Sequence, residues 1–286
     1  MKIANYGGRL SLVEKGLVID VEETSSGRFS ANPATIYDRW EEFVEWADST
    51  RPSGGAKIDP HKLCAPSPSP RQVICIGLNY REHAIEIGLD APAEMPPVFT
   101  KFVSSISGAM SQVALPPGGE VDWEVELVVV IGRGGSFIEA ADAWRHVAGL
   151  SVGQDLSDRS LQFLGPAPQF SIAKSFAGFG PMGPWLVTPD EFPDKDNLSL
   201  GCSVDGEIVQ TGQTIDLVYG IPRLIETLSQ TLSLFPGDVI FTGTPPGVGM
   251  GRSPARFLKA GEELVSWVEG IGEIRQTFIS RDVTES

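Results

Sequence analysis

Apolar and polar positions alternate over the first twenty residues, where Leu10-Ser11-Leu12-Val13 and Gly16-Leu17-Val18-Ile19-Asp20 are separated by turn-forming residues. The pattern predicts a β-hairpin. The period then changes: Tyr37, Trp40, Val44 and Ala47 fall at helical spacing over 37–47, with acids on the opposite side. An amphipathic helix that docks through an aromatic stripe is expected there. A stretch rich in Pro, Gly and Ser from Pro52 to Pro70 reads as an extended connector. Beyond it, apolar runs of strand length recur at 73–78, 125–131, 147–152, 184–187, 201–209, 238–242 and 264–269, while helical patterns are confined mainly to 139–147 and 215–230. Strands in series without regular helical crossovers predict a β-rich α+β architecture rather than a doubly wound sheet. The expected organisation is a small N-terminal domain over 1–62 (hairpin plus helix), a Pro/Ser-rich connector at 63–70 and a catalytic-sized domain over 71–286.

Composition narrows the function classes. Of 286 residues, 41% are hydrophobic and 21% charged, as in an ordinary globular protein, and 22 basic against 37 acidic side chains leave a net charge of −15. Such a surface repels nucleic acid and anionic membrane, so neither is an expected partner. No stretch approaches the ~20 apolar residues of a membrane span, and Met1-Lys2-Ile3-Ala4-Asn5 does not lead into a signal-peptide core. The expectation is a cytoplasmic protein. Cys64, Cys75 and Cys202 are scattered without the spacing of a zinc site or disulfide framework and read as reduced, structural thiols.

One strand departs from the apolar pattern. Glu124 and Glu126 stand two apart in Val121-Asp122-Trp123-Glu124-Val125-Glu126-Leu127-Val128-Val129-Val130-Ile131, so in a strand both carboxylates leave the same face. Buried without compensation, each would cost several kcal/mol, roughly. Protonation, a basic partner or a bound cation would relieve them. The alternative is an edge strand whose acids face water, as the alternation of Asp122, Glu124 and Glu126 with Trp123, Val125 and Leu127 would allow. Asp155 ends the apolar run Ala148–Gln154. Three carboxylates with no neighbouring His or Cys suit a hard, oxygen-preferring cation: Mg²⁺, or else Mn²⁺ or Ca²⁺.

Other constellations are weaker singly. His83 and Glu86 stand three apart, just after a strand and an expected Asn79 helix cap, and on a helix they share a face. A carboxylate beside imidazole fixes its tautomer and raises its basicity, as a water-activating base requires; an exposed helix pair is the plainer reading. Arg159 and Gln162 could clamp an anionic substrate or lie at the surface. Lys174 is a lone charge in an apolar run and needs an acid or a substrate oxygen. Gly132-Arg133-Gly134-Gly135-Ser136-Phe137 lacks the third glycine of a dinucleotide fingerprint, and Gly243-Thr244-Pro245-Pro246-Gly247 lacks the Lys-Ser/Thr of a phosphate loop.

Taken in order, Gly77-Leu78-Asn79-Tyr80 with His83 and Glu86, Asp122-Trp123-Glu124-Val125-Glu126, Asp155 with Arg159 and Gln162, Lys174-Ser175-Phe176, Gly183-Pro184-Trp185, Pro236-Gly237-Asp238 and Thr242-Gly243-Thr244-Pro245 resemble the fumarylacetoacetate hydrolase family over roughly residues 70 to 280. The resemblance implies a β-rich mixed roll or sandwich of the fumarylacetoacetase C-terminal type, commonly dimeric. It implies Glu124, Glu126 and Asp155 as metal ligands, His83 and Glu86 as a base dyad on a mobile lid around 80–95, and Lys174 as a catalytic cation. Arg159, Gln162, Tyr80 and Thr244 would contact a small oxo-acid substrate. The implied reaction is Mg²⁺-dependent hydrolysis of a C–C bond in a 2,4-dioxo acid such as an acylpyruvate, through a stabilised enolate. Oxaloacetate decarboxylation, hydroxymuconate-type isomerisation and a catalytically lapsed, oxo-acid-binding homologue are the alternatives. Ala177, Gly178 and Ser160 stand where many relatives carry polar or acidic groups.

Overall fold

The computed structural model describes residues 1–50, 52–90 and 92–281. Its architecture is α+β and sheet-rich. A twelve-stranded mixed sheet carries along its main path, from one edge, Ala56–Lys57, Leu17–Asp20, Arg9–Glu14, Lys2–Tyr6, Gly180–Val187, Val147–Gln154, Val125–Ile131, Val239–Phe241, Val73–Ile76 and Val98–Thr100. A five-stranded sheet orders Glu207–Gln213, Ser199–Val204, Glu263–Val268, Gly272–Ser280 and Met110–Leu115. Val121–Asp122 and Ser157–Asp158 make a separate two-stranded pair beside the site.

The strand carrying Glu126 is central, not an edge, while Glu124 precedes it in a break between Val121–Asp122 and Val125–Ile131 rather than on the same strand. Val125–Ile131 pairs antiparallel with Val147–Gln154 on one side and Val239–Phe241 on the other. Its alternate residues enter two different cores. Leu127, Val129 and Ile131 pack with Leu224, Ile225 and Leu228 of the helix Ile221–Ser229. Val128 and Val130 pack with Phe29, Phe43 and Trp46 from the N-terminal segment. A strand covered on both faces reads as continuous apolar sequence, which is why Val125–Ile131 carries no polar side chain but Glu126.

The N-terminal strands extend the same sheet across the 62/71 boundary, since Lys2 and Ile3 pair with Val187 and Leu186. Residues 63–70 are likewise tied in. Leu63 and Cys64 pair with Tyr6 and Asn5, Tyr37 Oη donates to the Pro66 carbonyl, and Ser67 Oγ donates to the Gly237 carbonyl. The aromatic stripe docks as expected: helix Trp40–Thr50 buries Phe43, Trp46 and Ala47.

Several local expectations change. The run 201–209 is a hairpin, Ser199–Val204 against Glu207–Gln213, turning at Asp205 and Gly206 with φ of 49° and 83°. Positive φ at both central residues is the demand of a tight turn that Asp-Gly meets. Residues 140–146 form 3₁₀ turns rather than an α-helix, and within 215–230 only Ile221–Ser229 is α-helical. Asn79 does not cap the helix Arg81–Glu86: Tyr80 stands at the N-cap. The Asn79 amide instead donates to the Tyr219 and Thr242 carbonyls and accepts from the Tyr219 N–H.

Candidate active site

Glu126 pairs across the sheet with Gly153, and the Glu124 carbonyl accepts the Asp155 N–H at 2.9 Å. This register brings the end of one strand against the end of its neighbour. Oxygens of Glu124, Glu126 and Asp155 consequently lie within 4.8 Å of one another. The three residues are 6%, 1% and 0% exposed, which removes the solvent-facing alternative.

Compensation is uneven. Glu124 accepts Arg159 Nη2 at 2.6 Å on Oε1 and Lys174 Nζ at 2.7 Å on Oε2. Lys174 also reaches Asp155 Oδ2 at 2.7 Å, and Lys101 Nζ donates to Asp155 Oδ1. Arg159 further donates through Nε to Asp122 at 2.9 Å and through Nη1 to Gln162 at 2.8 Å. Among the described residues Glu126 has only the Gly243 backbone N–H, at 2.7 Å on Oε2. Four buried carboxylates, with Asp122, therefore face three cations. Burial pushes Glu124 up, but Lys174 and Arg159 override it and hold the carboxyl well below its usual range. Burial together with the charges of Asp155 and Glu124 drives Glu126 well above that range. Burial lowers Lys174, yet Asp155 and Glu124 outweigh it and keep the ammonium charged.

The arrangement fits a divalent cation. Among the described residues Glu126 is the carboxylate of the three without a cationic partner, it adjoins two others, and the donor set is all oxygen. A bound cation would be held by Glu124, Glu126 and Asp155 and would supply the charge that the three basic residues do not.

Glu124 and Glu126 open onto a cavity of about 190 Å³. Its polar wall carries Glu124, Glu126, Arg159, Gln162, Lys174 and Thr244, with His83 at the same wall. His83 is buried on the helix Arg81–Glu86, its Nδ1 3.3 Å from Glu86 Oε2. Thr244 Oγ1 donates to the Val125 carbonyl and accepts from Gln210 Nε2, which fixes its orientation. Tyr80 does not join this wall. Its ring lies in the core with Leu127 and Tyr219, and its hydroxyl is buried with no hydrogen-bond partner among the described residues. The substituted positions also stand away from the wall. Ala177 is exposed, Gly178 turns at φ 82°, and Ser160 Oγ donates to Asp158, the cap of the helix Arg159–Gln162.

Two site residues escaped the sequence reading. Lys101 has no side-chain exposure beside Asp155; its isolation in Val98-Phe99-Thr100-Lys101-Phe102 is the signal that singled out Lys174. Asp122 accepts from Arg159 and from the N–H groups of Trp123, Gly249 and Met250. Only the fold brings those donors to it.

With this geometry in place, comparison with known proteins is informative. The family description Fumarylacetoacetate (FAA) hydrolase C-terminal matches residues 72–279. Human mitochondrial oxaloacetate tautomerase FAHD2A is 47% identical over 211 residues, 73% of this chain and 67% of the relative. A solved structure titled as a putative HpcE protein from Mycobacterium smegmatis is 53% identical, covers 99% of this chain and 100% of its own, and superposes with a TM-score of 0.94. Maleylpyruvate hydrolase from Sphingobium sp. SYK-6, solved with manganese(II) and pyruvate, is 27% identical, with coverage of 99% and 100% and a TM-score of 0.80. The matched family, the shared fold and the enzymes among these relatives agree: the chain belongs to the fumarylacetoacetate hydrolase family and is an enzyme of that family.

Proposed function

We propose that this enzyme acts on a 2-oxo acid by developing an enolate, with Glu124, Glu126 and Asp155 holding a divalent cation, Mg²⁺ or Mn²⁺. The reaction that the cavity supports best is hydrolysis of the C–C bond of a 2,4-dioxo acid. The observation that carries the reading is that Glu124 and Glu126 of the buried acidic triad and His83, backed by Glu86, line one cavity. A divalent cation bound at the triad supplies Lewis acidity, which lowers the cost of negative charge developing on a 2-oxo group.

The side chains supply the rest. Glu86 accepts from His83 Nδ1, which fixes the tautomer and leaves Nε2 as the basic atom. That nitrogen takes a proton from water as the water attacks the 4-oxo carbon. Lys174 keeps its proton on Nζ and places positive charge beside the triad, where it steadies charge that builds up as the C–C bond breaks. Arg159, itself committed to Asp122 and Glu124, holds Gln162 Oε1 through Nη1 and so positions the Gln162 amide Nε2 as the donor that orients a carboxylate.

Keto–enol tautomerisation is the second reading, favoured by the human relative named an oxaloacetate tautomerase. It uses the same cation and the same base, with the proton taken from C3 rather than from water. Chelator-treated protein, with and without added Mg²⁺ or Mn²⁺, decides between them when given an acylpyruvate and enol-oxaloacetate separately. Hydrolysis yields pyruvate and a free acid; tautomerisation converts enol to keto form without releasing fragments. Metal-independent turnover would overturn the metal assignment, and activity with neither compound would overturn the enolate reading.

A further inference from the structure

The cavity has two chemically different halves. Beside its polar lining it is walled by carbon: Ile87, Leu89, Pro97, Phe99, Phe170 and Met250. Phe99 and Phe170 stack with ring centroids 5.5 Å apart and planes at 27°. Lys174 Nζ lies 5.1 Å from the Phe99 centroid, so the first ring adjoins the charged end and stacks in turn on Phe170. The basic lining groups are all engaged. Arg159 is held by Asp122 and Glu124, Lys174 by Glu124 and Asp155, and His83 by Glu86.

Resting on the hydrolytic reading above, we propose that the substrate is a monocarboxylate: a 2,4-dioxo acid whose group beyond C4 is apolar, seated on the Phe99–Phe170 wall. A second carboxylate there would lose water among carbon atoms and meet no uncommitted cation among the described lining residues. An apolar acyl group gains by leaving water at the same place. The polar half fixes the shared dioxo-acid end, and the carbon half selects the tail.

The test is a matched pair differing only at the terminus. Butyrylpyruvate ends in a methyl group; succinylpyruvate carries a carboxylate at that position. With Mg²⁺-loaded protein, kcat/KM for the methyl-terminated compound is expected to exceed that for the diacid by about tenfold or more, the scale on which apolar pockets discriminate. Equal rates, or preference for the diacid, would overturn the inference. A binding arm separates this from the reaction itself. Affinities of 2-oxohexanoate and 2-oxoadipate, measured by calorimetry, should show the same order even if neither dioxo acid is cleaved; in that case the tail assignment stands and the hydrolytic reading falls. Tighter or equal binding of the diacid, or binding of neither, counts against the inference. Phe170→Arg places a cation in the half-buried carbon wall and should reverse the order of the two 2-oxo acids. A folded Phe170→Arg protein that still prefers the methyl-terminated acid would remove Phe170 from the tail site.

Discussion

Glu86 accepts the Gly247 backbone N–H through both carboxylate oxygens, at 2.9 and 3.1 Å, while its Oε2 also faces His83 Nδ1. The dyad is therefore anchored to the loop after Thr244, which itself lines the cavity, and the helix carrying His83 is tied to that loop. The exposed helix-pair reading of these two residues is excluded by the burial of His83.

This anchoring orders the consequences of substitution. His83→Ala should lower the hydrolytic kcat by about 10²–10⁴-fold, the usual worth of a positioned base. Glu86→Gln keeps an acceptor but removes the charge, so its loss should be smaller. A Glu86→Gln enzyme with unchanged kcat would show that the pair serves packing alone.

Glu126 makes metal binding depend on pH. Its carboxyl is raised by burial and by Asp155 and Glu124, so the metal-free fold binds a proton there that the unfolded chain has already released. The Glu126 contribution to metal-free stability is accordingly lost as pH rises from the ordinary carboxylate range through the raised folded value. A cation displaces that proton, so metal affinity should increase with pH over the same window. Saturating a site at 100 times its dissociation constant stabilises by about 2.7 kcal/mol, visible as a higher Tm with Mg²⁺ than with chelator. Glu126→Gln should raise the metal-free Tm at neutral pH and abolish the metal-induced increase. A metal-induced shift that survives Glu126→Gln would exclude Glu126 as a ligand.

Asp122 is a structural anchor for Arg159. Fully buried, it accepts from the guanidinium and from three backbone N–H groups. Removing one partner of such a buried pair costs about 3–5 kcal/mol. Asp122→Ala should therefore lower the denaturant midpoint substantially, and Asp122→Asn less. Equal midpoints for Asp122→Ala and the parent would refute this role.

Gly243 is required for two reasons at once. It adopts φ 105°, and an added Cβ would lie 2.7 Å from Asn79 Cβ. Its N–H is also the hydrogen bond that Glu126 receives. Backbone strain plus overpacking should make Gly243→Ala about 2–4 kcal/mol less stable, with weakened metal affinity as the Glu126 carboxyl loses its support. Thermal unfolding and metal titration on the same variant check both parts.

The sequence by itself determined what depends on short separations. Spacing of three put His83 beside Glu86, and Arg159 reached Gln162 within one helical turn; spacing of two singled out Glu124 and Glu126 as a pair, although the strand begins only at Val125 and Glu124 lies in the break before it. Ordered motifs carried the family. Tertiary structure decided what depends on register and on layers. Asp155 joins the glutamates because its strand pairs antiparallel with theirs and ends beside them. Lys101, from an edge strand, reaches Asp155 across 54 residues of chain. Tyr80, beside the dyad in sequence, turns into the core instead, and residues 1–62 cover a face of the central sheet through Phe29, Phe43 and Trp46. Periodicity reports which side of an element is apolar; it does not report which distant element comes to cover it. That choice belongs to strand pairing and close packing, and here it also selects the carbon wall beside the polar lining.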